Sequence, residues 1–407
     1  MVTASIDFGT TNSVATITKN QKITTIKLGK NSSYTPTALF YNFDDYKFYV
    51  GDDAIKHLEE GEFGRYFVSL KSFLGSKENI KTYLGRKEYS LEDLIAIILK
   101  EFKSKIDKVA NQNVVKLTLG RPVKFNDNDK ELDKLAQDRL KNAAILAGFK
   151  EINFCFEPIA ASLSYRDKLS NNEIILVADI GGGTTDYTIV DTTTNKILAT
   201  NGVYIGGNSF DSKIIRNFIS PHLGEGLKYK NMGKDMYISH SLYVDLYEYY
   251  KFIKMYDRQI IDAIKKYIQM AEDKEPIRRL LELIENGLYF DFISSIVNAK
   301  IDLTKNNKTT INMNFFNNPF ITQLTRYEFE KVTKDEIKKI EQTLLQTIKQ
   351  ANLDKTKIDK VFLTGGTTLI PSVQKIFVNT FGKNRLIQTD VFSSVGYGLA
   401  LCNKQFN

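Results

Sequence analysis

Two short stretches of this chain carry the residue types best suited to chemistry. Residues 3–18 read TASIDFGTTNSVATIT and residues 176–191 read LVADIGGGTTDYTIVD. Each sets an aspartate at the end of an apolar run, then glycine, a threonine pair and an alternating apolar run. Glycine lets backbone N–H groups come close to an oxyanion, and threonine hydroxyls add donors. Two such turns facing one another would clamp a polyphosphate. Asp7 and Asp179, just before the turns, cannot bind phosphate directly, so their placement implies a divalent cation. Mg²⁺ keeps most of its waters, and the two carboxylates would hold it largely through them. A single copy is as readily a plain hairpin turn; two copies with matched aspartates argue against that. The pattern GxxxxGK[ST] is absent, and DIGGG is followed by a strand rather than a helix, which excludes the P-loop and the dinucleotide fingerprint.

The flanking sequence predicts what must position these turns. Ile6 with Ala15 and Ile17, and Ile175 and Val177 with Ile189, read as paired strands around glycine punctuation. Ser90 and Asp93 form a capping box. From there Leu91, Leu94, Ile95, Ile98, Phe102, Ile106 and Val109 make one helical stripe. A second helix is expected over 129–147, with Gly148 just past its end. Residues 114–120 read as a buried strand, and Glu157-Pro158 opens a helix over 158–168. Alternating strands and helices define an α/β class. Residues of about 230–302 read as almost entirely helical, residues 309–316 return to strand, and Thr325 starts a helical stretch ending near Leu353. Residues 361–366 are a strand meeting two glycines, and Pro371 starts an amphipathic helix.

Composition narrows the classes. The 407 residues are 42% hydrophobic and 26% charged, with 24 Gly and 2 Cys, which excludes a disordered, collagen-like or disulfide-scaffold chain. The net charge is +8, but the lysines are spread along the chain rather than gathered in a tail. A nucleotide is therefore the anion expected, with neither nucleic acid nor membrane as partner. No apolar run is long enough to span a bilayer, and the N-terminus has no basic, apolar leader. Cys155 and Cys402 lie far apart in apolar sequence and are expected as buried reduced thiols, in keeping with a cytoplasmic setting. His57, His222 and His240 are isolated, which argues against a histidine-based zinc site.

With these residues in view, the chain resembles the actin-fold ATPases. DFGTTNS (7–13) and DIGGGTTD (179–186) resemble the two phosphate loops, LTGGTTLIP (363–371) the adenosine loop, and FEPIAASLSY (156–165) and SSVGYGLAL (393–401) the two connecting motifs. Within that superfamily it is most similar to DnaK-type heat-shock chaperones, through YTPTALFY (34–41), VGDDAIKHL (50–58), FVSLKSFLG (67–75) and YIGGNSFDSKI (204–214). LGRPVKF (119–125) resembles the short YegD-type branch. The resemblance implies two similar lobes, each a mixed sheet flanked by helices. The first would span 1–170, with a smaller subdomain at about 35–113. The second would span 171–407, with a helical subdomain at about 221–315. A nucleotide would lie between the lobes and its state would be linked to their closure.

Residue by residue, the resemblance places ATP or ADP phosphates against Gly9, Thr10, Thr11, Gly181, Gly182, Gly183 and Thr184. Hydrated Mg²⁺ falls to Asp7 and Asp179. Lys71 would position the attacking water, Glu157 would sit near metal and water, Asp186 would accept a proton, and Thr184 belongs with this catalytic group. Gly206, Gly207, Lys300, Gly365 and Gly366 would border ribose and adenosine. Three departures stand out. The adenine-sandwiching arginines of the family align with Ile301 and Leu369, which removes cation–π stacking and leaves only apolar faces; the family's ribose glutamate aligns with Val297. Asn12 replaces an aromatic. The sequence ends at LCNKQFN, where a DnaK-type chaperone would continue into a linker and a peptide-binding domain. The resulting expectation is a chaperone-like, Mg-dependent ATPase with a protein client or co-chaperone as further partner. The competing expectations are a nucleotide-dependent scaffold with little turnover, an actin-like filament protein, and a sugar kinase of the same superfold.

Overall fold

The computed structural model describes residues 2–30, 32–78, 80–125, 129–164, 173–194, 196–247, 249–388 and 394–402. Both glycine turns are hairpins. Strand Thr3–Phe8 runs antiparallel to Asn12–Lys19, with Asp7 opposite Val14; strand Ile174–Ile180 runs antiparallel to Thr185–Asp191, with Asp179 opposite Asp186. Alternation at the ends of these strands turns the aspartates away from the apolar side chains of Ile6 and Ile180, which are fully buried.

Each hairpin seeds a sheet of the same connectivity. In the first, Asn12–Lys19 adds Lys22–Thr25 antiparallel on one side. On the other side Thr3–Phe8 adds Lys116–Arg121 and then Glu151–Phe156, both parallel. In the second, Thr185–Asp191 adds Lys196–Val203 antiparallel, while Ile174–Ile180 adds Lys360–Thr364 and then Leu386–Gln388 in parallel. The sequence likeness of the two turns thus extends to the order and direction of five strands. In both sheets a long excursion separates the third of these strands from the fourth, although in the first the short strand Tyr34–Pro36 also pairs with Asn12–Lys19 on the way. Parallel strands require such long crossovers.

The capping box expected at Ser90 is present, with Asp93 N donating to Ser90 Oγ at 3.1 Å and Ser90 N to Asp93 Oδ2 at 2.9 Å. It starts the helix Leu91–Ala110, whose Leu94, Ile95, Ile98, Phe102 and Ile106 are buried against the first sheet. Val109 is exposed; Ala110 takes the inward position in the last turn. The helix Lys130–Leu146 is capped by Asp129, and Gly148 takes the left-handed φ of +102° just past its end. The helix opened by Glu157-Pro158 is described over Glu157–Ser164; its expected continuation to 168 lies outside the described residues. Ser393, the first residue of the second connecting motif, does too.

The expectation of an all-helical stretch over about 230–302 requires correction. Strands Lys228–Asn231 and Lys234–Tyr237 form a hairpin there. Its turn residues, Met232 and Gly233, both have positive φ, at 48° and 76°. That is the two-residue turn whose twist suits a hairpin. One glycine among lysines and tyrosines gave no clear strand period. Helices Arg258–Met270, Glu275–Glu285 and Tyr289–Lys305 follow.

The chain forms two compact units. The first comprises Met1–Tyr204, Gln342–Thr368 and Phe377–Asn407, and holds both large sheets; the second comprises Ile205–Glu341 and Leu369–Ile376. This division follows the long excursion from the second sheet rather than the sequence halves. No helix among the described residues is long and apolar enough to cross a membrane.

The cysteines also depart from expectation. Cys155 and Cys402 are joined in a disulfide, with Cα atoms 6.7 Å apart. Separation in sequence hid their proximity. Cys155 is the penultimate residue of the strand Glu151–Phe156 that leads into Glu157–Ser164, and Cys402 ends the helix Ser394–Cys402; Ala160, Ala161, Leu163, Val395 and Leu399 bring these elements into one core cluster with both cysteines. Alkylation of the denatured protein should label no cysteine without reductant and two with it. Reduction should lower stability by about 2–4 kcal/mol. Two free thiols in the unreduced protein would contradict the pairing.

Candidate functional site

The first unit brings five predicted residues together around one ion pair. Lys71 lies in a short 3₁₀ turn, Leu70–Phe73, that follows strand Gly64–Val68. Its Nζ donates to Glu157 Oε1 at 2.8 Å, and the two side chains are only 11% and 15% exposed. Glu157 is the first residue of the helix Glu157–Ser164. Asp7 and Asp179 are close enough to this pair to feel both charges, and Asp186 faces Asp179 across the hairpin. Three carboxylates, those of Glu157, Asp7 and Asp179, therefore act on the Lys71 ammonium, and Asp186 adds its charge beside Asp179.

The electrostatic consequence is direct. Burial, reinforced by the charge of Glu157 and then of Asp179, pushes the Asp7 carboxyl up to about 7, with Lys71 pulling it down. Burial, then Glu157 and Asp186, does the same to Asp179, which also reaches about 7. Burial alone would lower the Lys71 pKa, but Glu157, Asp7 and Asp179 together outweigh it, and the ammonium is held above its ordinary range. An excess of buried negative charge with an all-oxygen donor set suits a hard divalent cation. The residues present thus fit Mg²⁺.

Glycines open the space these groups use. A Cβ on Gly120 would stand 3.3 Å from Glu157 Cγ and 3.5 Å from Asp7 Oδ1. On Gly202, opposite Asp186 in the sheet, it would fall 2.7 Å from Asp186 Oδ1. Glu157, Asp179, Asp186, Gly202 and Thr364 share the lining of a cavity of about 30 Å³, room for about two waters. Neither glycine was singled out from sequence. Gly202 carried a usable signal, since glycine inside a strand often marks a close approach.

The turns themselves are tightly built. Gly9 is required because a Cβ would overlap the carbonyl oxygen of Asn12. Thr37 N donates to Thr11 O at 2.8 Å, and Gly181 N donates to Thr184 O at 3.0 Å. Cβ atoms on Gly181, Gly183 or Gly366 would meet nothing within 4 Å, so these backbones face open space. Gly365 has φ +86°, and a Cβ there would overlap the carbonyl of Ile180. Thr367, within the LTGGTTLIP motif, donates from Oγ1 to Gly181 O at 2.8 Å and so links the loop after Lys360–Thr364 to the second Gly/Thr turn.

Thr10 and Gly182 belong to the first unit with their turns, whereas Gly206, Gly207, Lys300, Ile301 and Leu369 belong to the second. Lys300 donates to the Gly207 carbonyl at 3.1 Å and to Asp211 Oδ2 at 2.7 Å. Asp211 is buried and its Oδ1 has no hydrogen-bond partner among the described residues. Burial raises its pKa, against the pull of Lys300. Gly206 is the N-cap of the helix Gly207–Ile214. Ile301 is 53% and Leu369 45% exposed, so both present apolar surface where the resemblance places adenine. Elsewhere His57, Glu60 and Glu62 place one ligand atom each within 4.8 Å of one another. His57 Nδ1 at 2.6 Å and the Asn42 amide already engage Glu62, which accounts for that cluster by hydrogen bonding.

Duplicated sheets with matched Gly/Thr turns, and carboxylates gathered at their strand ends, define an actin-like α/β fold. The family model described as "Hsp70 protein" matches residues 3–225 and 255–404. The chain belongs to the Hsp70 family. It is 28% identical over 402 residues to the chaperone protein DnaK of Mycoplasmopsis synoviae, an alignment covering 96% of this chain and 56% of that protein. It is 28% identical over 409 residues to DnaK of Thermosipho africanus, covering 96% and 57%. It is 26% identical over 433 residues to dnaK of Guillardia theta, covering 96% and 58%. The chain thus spans little more than half the length of these curated relatives. The residues the family model leaves unmatched include the Lys228–Tyr237 hairpin.

The carboxylate cluster makes stability depend on pH. Asp7 and Asp179 titrate near 3.8 when unperturbed and at about 7 in the folded chain. Between those values the folded state binds more protons than the unfolded state, so stability present at low pH is lost as pH rises through about 7. Without divalent cation, the thermal midpoint should fall more steeply from about pH 5 to pH 8 in the natural protein than in Asp179→Asn. Mg²⁺ should raise the natural midpoint most at the alkaline end. Identical pH profiles for the two proteins would contradict this arrangement.

Proposed function

We propose that the first unit binds the phosphates of ATP with hydrated Mg²⁺ and hydrolyses the terminal phosphoanhydride. The observation that carries this reading is the buried Lys71–Glu157 pair set beside Asp7 and Asp179 at the ends of two matched hairpins. Phosphoryl transfer needs positioning, charge neutralisation and an oriented water rather than covalent chemistry. Asp7 and Asp179 would hold the cation through its waters, and the bound cation supplies charge neutralisation. Gly9, Thr10, Thr11, Gly181, Gly182, Gly183 and Thr184 would offer donors to phosphate oxygens. Lys71, fixed by Glu157, would orient the attacking water, and Asp186 would take its proton. ADP is the product. By the same resemblance, Gly206, Gly207, Lys300, Ile301, Gly365, Gly366 and Leu369 would recognise the adenosine.

The resemblance extends the proposal to a chaperone-related role in the cytoplasm, with nucleotide-linked closure of the lobes and a protein client or co-chaperone as partner. A second reading, a nucleotide-dependent scaffold with little turnover, is favoured by the apolar, exposed Ile301 and Leu369 in place of a charged adenine clamp. Single-turnover hydrolysis of ATP with Mg²⁺ separates the two. Lys71→Ala should slow the hydrolytic step by about 10²-fold or more while leaving ATP binding within about threefold. Tight binding with no hydrolysis in the natural protein, indifferent to Lys71, would sink the ATPase reading and leave the scaffold.

A further inference from the structure

Lys71 does not lie on a regular element, so something must hold its turn in place. The turn begins at Ser69, a non-glycine residue at φ +56°. Left-handed backbone of this kind costs about 1–2 kcal/mol and persists only where the surroundings impose it. Among the described residues the backbone–backbone bonds that follow Lys71 are local, Leu74 N to Lys71 O at 3.2 Å and Ser76 N to Phe73 O at 3.1 Å. Leu70 and Leu74 pack into the core on either side, but these bonds do not tie the turn to the rest of the unit by polar contact.

Arg139 does. It sits on the helix Lys130–Leu146, distant in sequence, and is only 8% exposed. Its Nη1 donates to the carbonyls of Leu74 and Ser76, both at 2.8 Å, with the Phe73 carbonyl at 3.5 Å. Its Nη2 donates to the Glu78 carbonyl at 3.1 Å, and its Nε lies 3.5 Å from Glu92 Oε1. One guanidinium thus gathers the carbonyls of the segment that directly follows Lys71 and anchors them to two long helices. The planar fork of arginine can serve several acceptors from one point; a lysine ammonium, with three donors on a flexible stem, cannot reproduce that geometry. A buried cation with no role beyond neutralising Glu92 would not need four backbone carbonyls from one loop.

We propose that Arg139 is the positioning residue for Lys71. By holding residues 73–78 against its helix, it fixes where the Lys71 ammonium meets Glu157. This rests on the reading of Lys71 given above, but the geometry at Lys71 can be tested without nucleotide.

The first readout is the rate at which the Lys71 amine of the nucleotide-free protein reacts with trace acetic anhydride, followed by mass spectrometry. Lys71 should react slowly in the natural protein, about tenfold faster in Arg139→Lys, and faster still in Arg139→Gln, with distant lysines unchanged. The second is single-turnover hydrolysis. Arg139→Lys should slow it by about tenfold or more with ATP affinity little changed, and should cost nothing further in a Lys71→Ala background. Unchanged Lys71 reactivity in a folded Arg139 variant overturns the inference, as does an equal loss of hydrolysis with and without Lys71. If the natural protein does not hydrolyse ATP, the functional reading fails and the labelling alone decides the role of Arg139. Should neither variant fold, hydrogen exchange in the natural protein decides instead. The Ser72, Leu74 and Ser76 amides should open together with the Lys130–Leu146 helix, and independent opening overturns the proposal.

Discussion

The constraint on which the rest of the first unit depends is the crowding of Asp7, Glu157 and Asp179 against the Lys71 ammonium, with Asp186 beside Asp179. Like charges this close do not remain ionised together without help, and burial makes the conflict worse. The fold resolves it in part by holding two carboxyls partly protonated and in part by fixing the lysine against one of them. The tight elements nearby serve that arrangement. Gly202 leaves out a Cβ that would displace the Asp186 carboxylate, Gly120 keeps the backbone close beside Glu157 and Asp7, and Arg139 fixes the loop that carries the Lys71 ammonium. What destabilises the bare protein is what a bound divalent cation would relieve.

Duplication supplies the symmetry such a site needs. Each sheet contributes one aspartate from the same position, the end of its first strand, followed by the same kind of turn. Each also lets the chain depart at the same place. The first excursion, between Thr25 and Lys116, carries the Lys71 turn and the Leu91–Ala110 helix; the second, between Val203 and Lys360, contains the whole of the main segment of the second unit. The entropy of closing such an excursion grows only slowly with its length, so large insertions at this point disturb the sheets little.

Much of this was legible in the sequence because it is local. The Gly/Thr turns, the Ser90 capping box, the glycine after Leu146 and the Glu157-Pro158 helix start are all signals a few residues long, and the structure reproduces each. The matched aspartates were legible because the turns repeat. What escaped was either non-local or weakly patterned. The Lys228–Tyr237 hairpin turns on Met-Gly, a poor advertisement for a turn. Arg139, Asp211 and Thr367 act on partners far away in sequence, and no local signal pairs them with those partners. The cysteines were misread for the same reason, since distance along the chain says nothing about proximity once two elements pack in one core.

That cysteine bond orders events in time. Cys155 is made early and stands two residues before Glu157, while its partner Cys402 is made only after both sheets and the whole of the second unit. The bond therefore cannot guide the first sheet as it forms. Closed, it joins strand Glu151–Phe156 to helix Ser394–Cys402 and so ties the first segment of the first unit to its last.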